Sequence, residues 1–301
     1  MKALRLAAFA LALAACGPAA APPARDVRVT PPATDDTWFS VTTPEQIIPA
    51  KSEKMFCTDL AYDGDSTPFR EVEAYQGKFG HHIILMSTSN PKEPGTTYDC
   101  SDIKSMKDMR PFGIPLDLPP GYGYYMPKGT ALVVQMHYVN TSKDDLLVQD
   151  FIRLHKVAES EVTHWAAPMA ANSDEFSLPP MTQDYRHTFD CTFERDVDLL
   201  LLGGHMHENG TYFKTEIGPD VDHLTKRYEV SQWTPDDRDS APVTLFTSNP
   251  MHITKGTIVR TTCAWNNTTD HVLGFPEEMC ATFGVVGETK IPWICNVGTP
   301  L

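Results

Sequence analysis

Five histidines and one methionine are the residues of this sequence best suited to metal chemistry. They lie in four separate segments, as His81-His82, His137, His205 with His207, and Met279. Imidazole nitrogen binds copper in either oxidation state, whereas a thioether binds soft Cu(I) well and hard cations poorly. This donor set therefore predicts copper held in two sites and cycling between Cu(I) and Cu(II), which indicates redox chemistry.

The spacing of the histidines indicates how strands would present their rings. His205 and His207 end an apolar run, and residues i and i+2 of a strand face the same side, so both rings can bind one metal. Neighbours such as His81 and His82 face opposite sides of a regular strand, so they share a metal only at a bulge or a strand end. Gly80 is compatible with a bulge. Alone, each motif is weak, because such histidines more often pack than bind metal.

Alternating apolar and polar residues dominate the chain and predict β-structure. Examples are residues 130–140, 196–207 and 256–265, with turns rich in Pro, Gly and Asn between such segments. Strands of this length with turn signals between them predict an all-β chain built as an antiparallel sandwich or a barrel. The 25 prolines disfavour long helices. The strand signals lapse near residues 156–180, which is the segment most like a domain boundary.

The N-terminus has the features of an export signal. Lys2 and Arg5 precede a short apolar run, and residues 13–17 (LAACG) form a lipobox. The sequence thus predicts a signal peptide over residues 1–15, cleaved before Cys16, which becomes lipidated and anchors the chain in a membrane. Residues 16–37 are a Pro/Ala-rich tether. Gly17, rather than Asp, resembles lipoproteins sorted to the outer membrane, so we expect the bacterial periplasm or cell surface.

Cysteine count and charge narrow the class of protein further. Seven cysteines less the lipidated one leave six, which predicts three disulfides in an exported chain, although 15 pairings are possible. The formal net charge of −14 argues against nucleic acid as a partner, because nucleic-acid affinity rests on Lys and Arg that neutralise phosphates.

In their order along the chain, these motifs resemble the copper type II, ascorbate-dependent monooxygenases. That family includes peptidylglycine α-hydroxylating monooxygenase and dopamine β-monooxygenase. The shared order is HH, then QxHY, then HxH, then EMC, with cysteines between, and the resemblance covers nearly all of residues 38–301. It implies two antiparallel, jelly-roll-like β-sandwich domains, 38–158 and 159–301, with one copper site each, facing a shared cleft.

The resemblance also assigns roles to residues. It implies that the first domain holds an electron-transfer copper through His81, His82 and His137. The second domain would hold an oxygen-activating copper through His205, His207 and Met279. Gln135 matches a family glutamine beside the first copper and a proposed electron path, although a polar residue facing the cleft is an equal alternative. The disulfides implied by the family are Cys57–Cys100, Cys191–Cys295 and Cys263–Cys280.

Three positions depart from the peptide-hydroxylating members. An arginine, an asparagine and a tyrosine grip the peptide carboxylate there, whereas this chain has Gly203, Ala281 and Phe283. A guanidinium is the usual group for tight carboxylate binding, so we do not expect a peptidylglycine hydroxylase. Ala281, Phe283 and Gly203 instead indicate a more apolar substrate pocket, or simply core packing.

The expected activity is therefore hydroxylation of a C–H bond in an unidentified small molecule. It would use two coppers per chain, O₂ and a one-electron donor such as ascorbate. The alternative is a copper-binding or copper-handling lipoprotein with the same fold and no catalysis. The chain has 12 methionines and 11 histidines but no dense tract of either, which argues against the alternative.

Overall fold

The structure is a computed structural model that describes residues 23–101, 108–113, 118–275 and 277–298. Cys16 and the signal segment lie outside these residues. Within the described part of the chain, no helix has the length and apolar character needed to cross a membrane. Nearly all regular structure is β, which confirms the all-β prediction.

Twelve described strands lie before residue 158: β1 (Arg25–Asp26), β2 (Trp38–Thr42), β3 (Gln46–Ile48), β4 (Ser52–Ala61), β5 (Thr67–Tyr75), β6 (Gly80–Thr88), β7 (Thr97–Asp99), β8 (Met109–Pro111), β9 (Tyr122–Met126), β10 (Ala131–Asn140), β11 (Leu146–Val148) and β12 (Phe151–Lys156). A 3₁₀ turn at Glu159–Glu161 follows them.

Ten more strands and one short helix follow: β13 (His164–Ser173), β14 (Thr182–Thr192), β15 (Val197–His205), β16 (Gly210–Gly218), β17 (Thr225–Val230), α1 (Asp237–Ser240), β18 (Val243–Leu245), β19 (Met251–Ile253), β20 (Ile258–Asn267), β21 (Cys280–Gly287) and β22 (Trp293–Val297).

The first half of the chain forms a sandwich around strand β10. A five-stranded sheet in the order β7-β4-β10-β6-β8 packs on strands β9, β5, β12 and β2 of a ten-stranded sheet. Leu132, Val134 and Met136 of β10 enter that core, whereas Val133 packs with the Cys57–Cys100 disulfide on the opposite face. Because side chains alternate along a strand, Gln135 and His137 share the face of Val133, outside the main core.

The second half repeats this design with a four-stranded sheet. Strands β14-β20-β16-β17 pack on β15, β21, β13 and β22 of the ten-stranded sheet. Two disulfides, Cys191–Cys295 and Cys263–Cys280, join the four-stranded sheet to the larger one. All three disulfides join the cysteines that the family resemblance pairs. Cys280 begins β21, so its bridge fixes the chain directly after Met279.

One sheet runs through both halves. β9 and β13 pair in parallel, with His164 beside Tyr122 and Ala166 beside Tyr124. The ten-stranded sheet therefore crosses residues 158 and 159, where the sequence places the domain boundary. Residues of the second half, including Leu201 and Val285, enter the core of the first. His205, at the end of β15, lies on the ten-stranded sheet, whereas His81, His82 and His137 lie on β6 and β10 of the five-stranded sheet.

The buried carboxylate of Asp150 is linked through Gln76 to the backbone of His82 and His137, and it makes the free energy of unfolding depend on pH. Asp150 is fully buried and accepts hydrogen bonds from the Tyr138 hydroxyl and from Gln76 Nε2 at 3.3 Å. Gln76 Nε2 also lies 3.1 Å from the backbone oxygens of His82 and His137. Burial raises the pKa of Asp150 from 3.8 to about 6.

The raised pKa predicts a loss of stability as pH rises. Between pH 4 and 6 the unfolded chain has released the Asp150 proton while the folded chain retains it. We therefore expect the free energy of unfolding to fall by about 3 kcal/mol across this interval and to stay low above it. Asp150→Asn should remove this fall, as measured by urea unfolding from pH 4 to 7, whereas Asp144→Asn, at an exposed site, should retain it. An unchanged pH profile in Asp150→Asn would contradict the assignment.

Candidate metal centre

A β-bulge brings His81 and His82 to the same side of their strand. Along the β6–β10 pair, His82 lies opposite His137, but the next residue of β10, Tyr138, lies opposite Gly80. His81 is therefore the extra residue of β6, and the bulge turns its ring toward its neighbour. Phe79, with φ of 72°, reverses the chain just before Gly80. The bulge that the sequence requires for a shared metal is thus present.

Three imidazoles converge at this bulge. Each of His81, His82 and His137 offers one ring nitrogen, and the three nitrogens lie within 4.8 Å of one another. The ring centres of His81 and His82 lie 4.5 and 4.9 Å from that of His137. His137 is 5% exposed, while the other two are half-buried. Three converging imidazole nitrogens form a donor set that fits copper.

Two polar neighbours fix the tautomers of this group. The Glu53 carboxylate lies 2.7 Å from His137 Nε2 and can only accept, so His137 donates from Nε2 and bears its lone pair on Nδ1. Gln135 Oε1 lies 3.3 Å from His82 Nε2 and fixes His82 in the same way. Both rings consequently present Nδ1 as the metal-binding nitrogen, and partners of this kind raise metal affinity.

Burial keeps these rings neutral. It lowers the pKa of His81 to about 3, and the positive Arg238 and the neighbouring His137 add to the effect. Burial and then His137 lower the pKa of His82 to about 4. Because a metal binds only a ring that is not doubly protonated, formation of the imidazolium does not compete with metal at His81 or His82 above about pH 5.

The second histidine pair lies at the end of β15. Met206 is fully buried in the second core, so His205 and His207, on either side of it, face outward together, and their ring centres are 5.2 Å apart. His207 donates from Nδ1 to the Glu277 backbone oxygen at 3.0 Å, which places its lone pair on Nε2. Burial, followed by the nearby His207, lowers the pKa of His205 to about 3.

A buried glutamate organises the loop that carries His207. Glu278 is fully buried, and its carboxylate accepts hydrogen bonds from four N–H groups at 2.8–3.1 Å. These donors are the backbone N–H of His207, the backbone and side-chain N–H groups of Asn209, and Nε1 of Trp265. The next residue, Met279, is half-buried and directly precedes β21, whose Ala281 pairs with His205. Glu278 thus ties the HxH segment to the segment of Met279.

The residues expected to shape a substrate pocket are partly used in packing. Ala281 lies beside His205 in the β15–β21 pair and is 5% exposed. Phe283 covers Gly203 so closely that a Cβ there would lie 2.5 Å from the ring, and it also packs on the first core. Met279 lines a small cavity of about 30 Å³ with Asn172. A larger cavity of about 400 Å³ lies at the far end of β6, beside Ser87 and Thr88.

Arg238 lies between the two histidine groups. It comes from α1 in the second half, and its guanidinium contacts both Glu208, next to His207, and Nε2 of His81 in the first half. The pKa of His205 is lowered mainly by burial, and the nearby His207, His82 and Arg238 lower it further. Arg238 therefore links the three-histidine group to the loop that follows His207.

The sequence did not identify the groups that support these histidines. Glu53, Glu278 and Arg238 act on partners 84, 71 and 157 residues away. Two weak signals were present, namely a carboxylate directly before Met279 and a single cation in the acidic run 236–239. Neither signal indicates a partner.

Comparisons with known proteins do not assign a family. No protein-family model matches this chain, and no curated protein matches it. Among solved structures, a chain from the structure of the Gx strain of infectious bursal disease virus is similar over 85% of this chain and 74% of its own length. Its sequence identity is 10% and its TM-score is 0.21, which is too low to indicate a shared fold.

Proposed function

We propose that this chain is a copper-dependent monooxygenase that hydroxylates a C–H bond of a small molecule. O₂ and a one-electron donor such as ascorbate would be its co-substrates. The observation that carries this proposal is the convergence of His81, His82 and His137 at a bulge beside the outward-facing His205 and His207. A single histidine cluster would support metal binding, whereas two coupled groups of different donors support a reaction that needs two electrons.

The chemistry of the two donor sets supports a proposal of two copper ions. Three neutral imidazoles would hold the first ion, and His205 and His207 with the thioether of Met279 would hold the second. Bound copper supplies one-electron transfer and the activation of O₂. A mixed imidazole and thioether set favours Cu(I), which suits the ion that must meet O₂ in its reduced form.

The remaining residues would position these donors. Gln135 and Glu53 hold His82 and His137 in the tautomers that present Nδ1. Glu278 fixes the backbone of the HxH segment through its four hydrogen bonds. The buried setting of the rings excludes protons that would compete with metal. Preorganisation of this kind lowers the cost of binding and of changing oxidation state.

The substrate in this proposal is a small molecule rather than a peptide carboxylate. Gly203 has no side chain, and the ring of Phe283 covers it, so no charged group is available there to bind a carboxylate. Ala281 is the small neighbour of His205. We further propose that lipidated Cys16 anchors the enzyme in the bacterial outer membrane and holds it in the periplasm or at the cell surface.

Ascorbate-driven O₂ consumption tests the proposal. The copper-loaded mature chain should consume O₂ and form hydroxylated product in equal amounts when a suitable small C–H substrate from a screen is present. Met279→Ala should reduce product formation by at least about 100-fold, because the second ion loses its thioether. Met181→Ala, which removes a 71% exposed methionine, is the matched control and should retain activity.

Two results would count against the proposal. Full coupled activity in Met279→Ala would exclude Met279 as a ligand. Stable binding of two coppers without turnover across a broad substrate screen would favour the copper-handling alternative.

A further inference from the structure

The contact between Arg238 and His81 joins the two halves of the chain at the candidate metal centre. The Arg238 side chain is 15% exposed, and it contacts Glu208 and His81 at once. Glu208 directly follows His207, whereas His81 is the bulged residue of the three-histidine group. The guanidinium therefore links the neighbourhood of the second donor set to a ligand of the first.

Hydrogen-bond polarity defines the proton positions along this contact. A guanidinium can only donate, so His81 Nε2 must accept from Arg238, and the neutral ring then carries its proton on Nδ1. His81 Nδ1 lies 3.1 Å from His82 Nδ1, which accepts because His82 donates from Nε2 to Gln135. A series of hydrogen bonds with defined donors and acceptors thus runs from Arg238 through His81 and His82 to Gln135.

This series of hydrogen bonds cannot persist when His81 binds a metal. If His81 binds through Nδ1, its proton moves to Nε2, and two donors then face each other at Arg238. If His81 binds through Nε2, the guanidinium already occupies the place of the metal. Metal binding through either ring nitrogen therefore breaks the hydrogen bond from Arg238 to His81, since a neutral imidazole offers only one lone pair.

We propose that Arg238 competes with copper for His81 and thereby sets the metal affinity of the three-histidine group. This inference rests on the first copper site of the proposed function, but it needs no catalysis. In the metal-free chain Arg238 holds His81 and the Glu208 segment together. Copper binding displaces the guanidinium from His81 and breaks this contact of α1 with the first half.

The first test is the Cu(I) affinity of the full mature chain, measured by competition with a chromophoric chelator. A Met279→Ala background weakens the second site, so that the tight phase reports on the first. Arg238→Leu should bind copper about 10- to 100-fold more tightly, because copper no longer displaces a charged hydrogen bond. Arg227→Leu removes an exposed arginine of β17 and is the matched control, with unchanged affinity expected.

Arg238→Lys distinguishes displacement of the guanidinium from repulsion between its positive charge and the bound copper. Lysine keeps the positive charge but not the two-sided guanidinium contact, so displacement predicts an affinity gain in Arg238→Lys as well. Equal affinity of Arg238→Leu and the parent would overturn the proposal. A gain in Arg238→Leu with none in Arg238→Lys would also overturn it, because charge repulsion alone would then explain the gain.

Hydrogen exchange gives a second readout that is independent of affinity. Copper should accelerate amide exchange across residues 234–241 in the parent chain, because release from His81 frees α1. The same copper addition should leave exchange unchanged in Arg238→Leu, because that variant lacks the guanidinium that contacts His81. Unchanged or slower exchange in the parent at full copper occupancy would show that Arg238 stays in place, contrary to the proposal. Both readouts are obtained without substrate, so failure of hydroxylation would not affect them.

Discussion

His82→Ala is expected to abolish metal retention at the three-histidine group while leaving the fold intact. His82 lies opposite His137 across the β6–β10 pair, and its loss leaves two imidazoles where three converge. Copper affinity at this group should fall by at least about 100-fold, which is more than the loss of a supporting neighbour usually causes. Because His82 is half-buried at the edge of a bulge, the free energy of unfolding of the metal-free chain should change by only about 1 kcal/mol.

The matched control for this variant is His252→Ala. His252 is largely exposed and pairs with Asp198, at the opposite end of β15 from His205. Its removal should leave copper binding unchanged, as measured by chelator competition on the metal-free and copper-loaded proteins. Unaltered copper affinity in His82→Ala would show that the convergence of the three rings does not create a metal site.

Glu278→Gln is expected to destabilise the second half and to disable the second metal site together. The buried carboxylate accepts from four N–H donors, and an amide in its place directs its own N–H₂ at some of them. Leaving such donors unsatisfied in the core should lower the free energy of unfolding by about 3–5 kcal/mol. Copper affinity at His205, His207 and Met279 should fall in parallel, because Glu278 holds the segment that positions His207.

Glu277→Gln is the control, since it makes the same chemical change one residue away. The Glu277 side chain is 58% exposed, and its interaction with the HxH segment is through the backbone oxygen. Urea unfolding should therefore differ from the parent by less than about 0.5 kcal/mol. Equal stability of Glu278→Gln and Glu277→Gln would show that the carboxylate does not organise this loop.

Local patterns predicted much of the fold and of the donor geometry. Alternation along residues 130–140 places Leu132, Val134 and Met136 in the core, with Gln135 and His137 on the other face. Residues 199–204 of β15 are all buried, and alternation appears only at its end, where Met206 is buried between the partly exposed His205 and His207. The adjacency of His81 and His82 required a bulge, and the β6–β10 register contains one.

The supporting contacts and the sheet topology were not accessible from such patterns. The parallel pairing of β9 with β13 joins both halves in one sheet through three residue pairs, which leaves no recognisable signature in the sequence. Glu53 and Arg238 reach their histidines only after distant strands have packed. Their side chains sit in ordinary polar segments, so nothing local separates them from solvated surface residues.

Copper stoichiometry of the mature chain tests the two-site account most directly. The chain and its Met279→Ala variant are loaded under ascorbate, desalted, and analysed for copper and for sulfur scattering by X-ray absorption. The account predicts two equivalents of copper in the parent, with a sulfur ligand on one of them, and loss of both that sulfur and about one equivalent in Met279→Ala. One equivalent or none in the parent, or the same copper content and sulfur signal in both proteins, would contradict it.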